Sequence, residues 1–155
     1  MRIFIFCLII MLPTFGHGGE RPGRIGVGLM LGEPTGLSGK LFFDDRHAVD
    51  AGLSFSFIRD SFHVHADYLV HVSEMDGKFD GGRWSPYVGV GGMIRVADRE
   101  GTQNDGRLGV RIPIGVALHL DRRPFDVFFE FVPGMGLLPE TRFDLGGAIG
   151  GRYFF

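Results

Sequence analysis

The stretch FHVHADYLVHV, Phe62–Val72, decides how this chain is read. Phe62, Val64, Ala66, Tyr68, Val70 and Val72 are apolar, and His63, His65, Asp67 and His71 fall between them. A helix, turning about 100° per residue, would scatter both sets around its surface. An extended strand flips its side chains at every residue and sorts the two sets onto opposite faces. Three histidines and an aspartate on one face are also candidates for a metal site. Successive same-face residues lie about 7 Å apart at a rise of ~3.3 Å, however. That is long for two ligands of one ion with bonds near ~2 Å. Histidines bonded to neighbouring carboxylates are the plainer reading, so no metal and no other cofactor is expected.

The same period of two recurs in seven further segments. They are Arg24–Leu31, Thr35–Phe43, His47–Phe57, Trp84–Val96, Arg107–Leu120, Phe125–Val132 and Phe143–Phe155. Turn residues separate them: Gly32-Glu33-Pro34, Asp44-Asp45-Arg46, Ile58–Asp60 and Asp121–Pro124. Longer polar or Gly/Pro-rich connections are read at Ser73–Arg83, Ala97–Asp105 and Pro133–Arg142. No helical periodicity, second domain or internal repeat is present. A chain of 155 residues has room for one domain.

Sorting the faces settles the architecture. In Arg107–Leu120 one face is Leu108, Val110, Ile112, Ile114, Val116, Leu118 and Leu120, without a polar member. The other carries Arg107, Arg111 and His119 among small residues. A water-soluble barrel or sandwich alternates too, but with its apolar face inward. Three observations favour the opposite polarity. Most segments run ~9–13 residues, about what a tilted membrane strand needs. Aromatics mark the ends of the apolar faces: Phe43, Trp84, Phe125, Tyr153 and Phe155 at one end, and Phe57, Phe62 and Phe143 at the other. The third is an export signal. Met1-Arg2 is basic, Ile3–Leu12 is apolar and Pro13–Gly18 ends in small residues, the form of a secretory signal at 1–18, cleaved between about 16 and 19. A short segment 19–23 then leads into a barrel domain, 24–155. The single cysteine, Cys7, lies in the signal, so the mature chain has no thiol chemistry. The expected fold is all-β: an eight-stranded antiparallel up-and-down transmembrane β-barrel with an apolar exterior and a charged, side-chain-filled lumen.

Stretches such as GVGLMLGEPTGLSGKLFF, FHVHADYLVH and DGRLGVRIPIGVAL, with the final GGRYFF, resemble the small bacterial outer-membrane barrels. The chain is similar to the membrane domain of outer membrane protein A and to short-looped surface barrels, across residues 24–155. The resemblance implies residence in the bacterial outer membrane with both termini periplasmic. It makes Tyr153 and Phe155 a terminal signal for the barrel assembly machinery. Two departures stand out: the outer loops are short, and Ser73–Arg83 is a long periplasmic connection.

In such a barrel the lumen receives Lys40, Asp50, His63, His65, Asp67, His71, Arg95, Arg111, His119, Asp126, Glu130, Asp144 and Arg152. Eight strands leave an interior that side chains fill, so these charges must pair. Arg111 and Arg152 are expected near carboxylates such as Glu130, and Asp50 and Asp67 near Lys40, Arg95 or a histidine. Ser54 and Ser56 face the lumen without an evident histidine partner, which argues against a lipid hydrolase. The glycine pairs lack a following helix and are not phosphate loops. The net charge of −2 gives no sign of a nucleic-acid partner. The reading is a non-enzymatic outer-membrane barrel, porin-like in build, with a structural or surface-interaction role. Its partners would be outer-membrane lipid, the assembly machinery and an extracellular partner at loop 98–105. A narrow or gated channel is the alternative. A lipid-acting enzyme and a soluble periplasmic lipid-binding barrel rank lower.

Overall fold

The computed structural model describes residues 23–57, 61–72, 75–79, 82–97, 106–120 and 123–155, with backbone only for 75–79 and 97. Within these the alternating segments are extended, in ten strand segments. They are β1 (Ile25–Glu33), β2 (Thr35–Phe42), β3 (His47–Ser56), β4 (Ser61–His71), β5 (Met75–Phe79), β6 (Gly82–Ala97), β7 (Gly106–Arg111), β8 (Ile114–Leu120), β9 (Phe125–Leu138) and β10 (Arg142–Phe154). All pairings are antiparallel. β1 also pairs with β10, from Gly26↔Phe154 to Glu33↔Gly147, which closes the sheet.

β7 and β8 fill a single place in the ring, since both lie between β6 and β9. The sequence reading has one strand there, and the break falls at Ile112-Pro113 because proline has no N–H for the ladder. The ladder continues across it: Ile112 N–H donates to Pro133 O at 2.9 Å and Gly89 N–H to Pro113 O at 2.8 Å. The ring is therefore eight-stranded. β5 is an addition within the connection read at Ser73–Arg83, pairing with β6 at Met75↔Trp84 and Phe79↔Gly82. The connection read at Pro133–Arg142 is likewise mostly strand. β9 continues to Leu138 and β10 begins at Arg142, paired through Pro133↔Leu145 and Met135↔Phe143. Pro133, Gly134 and Gly136 read as loop chemistry, but the glycines occupy inward positions where the wall needs no side chain.

Two turns show local chemistry. Between β1 and β2 the chain reverses at Gly32, whose φ of 144° is a conformation that favours glycine. Thr35 Oγ1 closes this turn, donating to Gly32 O at 2.8 Å and accepting from Gly32 N–H at 3.2 Å. Between β2 and β3, Asp44 Oδ1 accepts the N–H groups of Arg46 and His47, each at 2.8 Å. His47 Nδ1 also lies 2.9 Å from both carboxylate oxygens. The Arg46 amide foremost, with the His47 ring and amide, holds the Asp44 pKa down to about 2.

Burial follows residue parity around the ring. β4 alternates at all eleven positions: Ser61, His63, His65, Asp67, Leu69 and His71 are buried, and the residues between them exposed. The outward face elsewhere is large and apolar, with Leu29 60%, Val90 60% and Phe129 58% exposed. Lys40, Asp50, Asp67, Arg111, Asp126, Glu130 and Arg152 are buried inside. This is the inverse of a water-soluble fold, in which buried charges are rare.

Candidate functional site

The lumen is organised in three levels, set by the register of adjacent strands. One row crosses five strands at mid-height: Lys40 opposite Asp50, Asp50 opposite Asp67, Asp67 opposite Gly91 and Gly91 opposite Arg111. Glycine is required at 91, because a Cβ there would stand 1.9 Å from Asp67 Oδ1 and 2.3 Å from Ala66 O. From the far wall Arg152 reaches across: Nε donates to Ser38 Oγ at 2.9 Å and Nη2 to Asp50 Oδ2. Its guanidinium carbon lies 3.8 Å over the Phe128 ring. Arg111 Nη2 donates to Glu130 Oε1 at 3.0 Å, and its Nε stands 3.1 Å from Asp67 Oδ2. Glu130 Oε2 accepts from the Tyr87 hydroxyl at 2.9 Å. Lys40 Nζ has no hydrogen-bond partner but sits 4.6 Å from the Tyr87 ring centroid and 5.0 Å from that of Phe42, a cation–π arrangement.

Toward the end that carries the β1–β2 and β9–β10 turns, the loop end, the lumen is less filled. A cavity of about 520 Å³, counting the solvent at its mouth, is lined by Glu33, His63, His65, Arg95, Arg111, Glu130 and Asp144, with Met30, Met93 and small residues of β9 and β10. Arg95 donates through Nη2 to Asp144 and through Nε to His63 Nε2, the latter at 3.0 Å. Ser56 donates to Glu33, and Ser61 Oγ lies 3.0 Å from His63 Nε2.

Toward the opposite end, where the chain terminates, aromatic rings pack together across the lumen. Phe42, His71, Tyr87, His119 and Phe154 pack with centroids 5.1–6.5 Å apart. Ala48, Leu69 and Ala117, all fully buried, fill the gaps. Ser85 Oγ sits 2.7 Å from His71 Nδ1, and His119 Nδ1 stands 3.9 Å from Asp126 Oδ2.

All thirteen polar residues singled out from the sequence point into the ring. Lys40, Asp50, His63, His65, Asp67, His71, Arg111, Asp126, Glu130 and Arg152 are buried, and Arg95, His119 and Asp144 are partly buried. Arg152 finds its carboxylate in Asp50, and the partners differ from expectation in one place: Asp67 takes Arg111 rather than Lys40, Arg95 or a histidine. Serine–histidine pairs exist where none was expected, at Ser61–His63 and Ser85–His71. Neither resembles an activated nucleophile. Arg95 already occupies the lone pair of His63 Nε2, and His71 Nε2 has no orienting partner. Of the end aromatics, Phe43, Phe57, Phe62, Trp84, Phe143, Tyr153 and Phe155 are exposed and Phe125 is half-buried. Exposed rings also occur within the spans, at Phe55, Tyr68, Phe129 and Phe131. Residues 98–105 and the signal segment expected at 1–18 lie outside the described residues.

A closed eight-stranded antiparallel barrel, filled by its own charged side chains and apolar outside, defines the class. In fold the chain is similar to the N-terminal β-barrel domain of Pseudomonas aeruginosa OprF, with a TM-score of 0.70 at 12% identity, over 87% of this chain and 100% of that one. No family model matches the chain, and no curated protein matches it in sequence.

Proposed function

We propose that this chain is an integral protein of a bacterial outer membrane, exported by its leader and inserted as a barrel, with a structural or surface-interaction role and no catalysis. The observation that carries the reading is the inverted polarity. Every strand of the ring sends large apolar side chains outward around a lumen of paired charges. Each such side chain forgoes roughly 1.5–3 kcal/mol while it faces water. Facing lipid removes that cost around the whole circumference, and closure leaves no strand edge of the ring unsatisfied, as hydrocarbon requires. The fold likeness to the OprF barrel domain supports the same setting. Insertion would use the β-barrel assembly machinery, reading the last strand with Tyr153 and Phe155, and the outer contact surface would include residues 98–105.

A channel is disfavoured by the aromatic layer of Phe42, His71, Tyr87, His119 and Phe154, whose packed rings lie across the lumen. A lipid hydrolase is disfavoured because the serine–histidine pairs lie inside and lack an orienting acid. Cell fractionation tests the central claim. The mature chain is expected in the outer-membrane fraction, solubilised only by detergent, and removal of Phe155 should lower the assembled amount. Recovery in an osmotic-shock fraction without detergent would overturn the membrane reading.

A further inference from the structure

Asp50 on β3 and Asp67 on β4 stand directly opposite one another, both buried. Like charges in that relation, with Cβ atoms about 5 Å apart, repel, and a poorly hydrated interior strengthens the repulsion. One arginine reaches each: Arg152 holds Asp50 Oδ2 and Arg111 stands at Asp67 Oδ2. The other carboxylate oxygen of each has no arginine. Asp67 Oδ1 has no hydrogen-bond partner, nor has His65 Nδ1, and His65 Nε2 stands 3.6 Å from Asp50 Oδ1.

The geometry points to a binding site for one divalent transition-metal ion of the zinc class, formed by Asp50, His65 and Asp67. One donor atom from each residue lies within 4.8 Å of the others. Two ligands of a tetrahedral zinc, each bonded at about 2.0–2.1 Å, stand about 3.3 Å apart. The His65–Asp50 separation of 3.6 Å is within a few tenths of that value. An imidazole beside two carboxylates suits zinc, cobalt or nickel better than the all-oxygen shells of calcium and magnesium. His65 lines the loop-end cavity, which gives the ion a route in and leaves room for water as fourth ligand. The sequence objection concerned two same-face histidines of β4. This site replaces His63, whose Nε2 is engaged by Arg95 and Ser61, with a carboxylate from the neighbouring strand.

The test uses the full chain in detergent micelles, stripped with chelator and titrated with Co2+ and then Zn2+. One ion per chain is expected, with the visible absorption of four-coordinate cobalt that zinc bleaches. His65→Gln, which removes the imidazole without changing a formal charge, should weaken uptake by more than the ~10–100-fold that loss of a ligand's supporting partner costs. His47→Gln, at the exposed Asp44 turn, should leave it unchanged. Zn2+ should also raise the wild-type unfolding temperature as its concentration grows. Absence of that rise, uptake by His65→Gln equal to wild type, or loss of uptake in His47→Gln instead would each overturn the site. The thermal measurement decides even if His65→Gln fails to fold.

Discussion

Glu130 accepts from two buried donors of the lumen, and Glu130→Ala is an informative single perturbation. The change removes the acceptor of Arg111 Nη2 at 3.0 Å and of the Tyr87 hydroxyl at 2.9 Å. Breaking a buried ion pair by removing one partner costs about 3–5 kcal/mol. The lower end applies, since Arg111 keeps Asp67 at 3.1 Å. An unsatisfied buried hydroxyl adds about 1 kcal/mol. Because Glu130 lines the cavity, water relieves part of both, and the expected loss is about 3 kcal/mol. Glu130→Gln keeps an acceptor for each donor and should lose about 1–2 kcal/mol, and Tyr87→Phe about 1 kcal/mol. The double variant Tyr87→Phe/Glu130→Ala should fall short of the sum of its singles by about 1 kcal/mol, since the orphaned hydroxyl is then absent. Urea unfolding in lipid vesicles, followed through the fluorescence of Trp84, the single tryptophan, measures all four. The midpoints are comparable only if the slope stays constant. A Glu130→Ala barrel within about 0.5 kcal/mol of wild type would refute a dry, paired lumen.

Phe129→Arg places a charge on the outward face of β9; in lipid it should cost about 2–4 kcal/mol, whereas on a water-facing surface the change would stay within about 0.5 kcal/mol, so vesicle unfolding separates the two settings. Gly91→Ala drives a Cβ into Asp67 Oδ1 and the Ala66 carbonyl and should destabilise by about 1–3 kcal/mol or prevent folding, while Gly136→Ala, whose Cβ meets nothing closer than 3.6 Å, should be near neutral. Asp44 has a folded pKa of about 2 against an ordinary value of 3.8, so its contribution is fully present above the ordinary value and disappears as pH falls from 3.8 through 2. Acid titration of the unfolding midpoint should be shallower in that window for Asp44→Asn, and an unchanged slope would detach the turn from the pH response.

The faces of the strands were legible because alternation is a property of adjacent residues. FHVHADYLVHV assigns its inward and outward sets without knowledge of any partner strand. Leu69 is the instructive member: it shares the polar face by position and is fully buried among aromatic rings. Phe42, Phe128 and Phe154 are inward in the same way, and a residue's apolar character alone does not say whether it meets lipid or a lumen floor. Pairing was legible only between neighbouring strands. Arg152 and Asp50 are 102 positions apart and meet across the barrel through the stagger of eight strands and the length of one guanidinium, neither of which is written locally. The upper half of β9 was hidden for a third reason. Pro133, Gly134 and Gly136 carry turn propensity, and the paired neighbours β7 and β10 override it. The Asp50–His65–Asp67 cluster has the same character, since Asp50 enters it only through the β3–β4 register.

The aromatic layer at one end and the cavity at the other give the lumen two unlike ends, and on the proposed reading it is a cup rather than a pipe. On that reading whatever enters past Glu33 and Asp144 would leave by the same mouth, so occupancy would equilibrate with a single compartment. In an envelope whose two sides differ in acidity and ion content, such a cup samples only one of them. Its ionic interior would then respond to the medium on the loop side while the compartment at the chain termini changed independently.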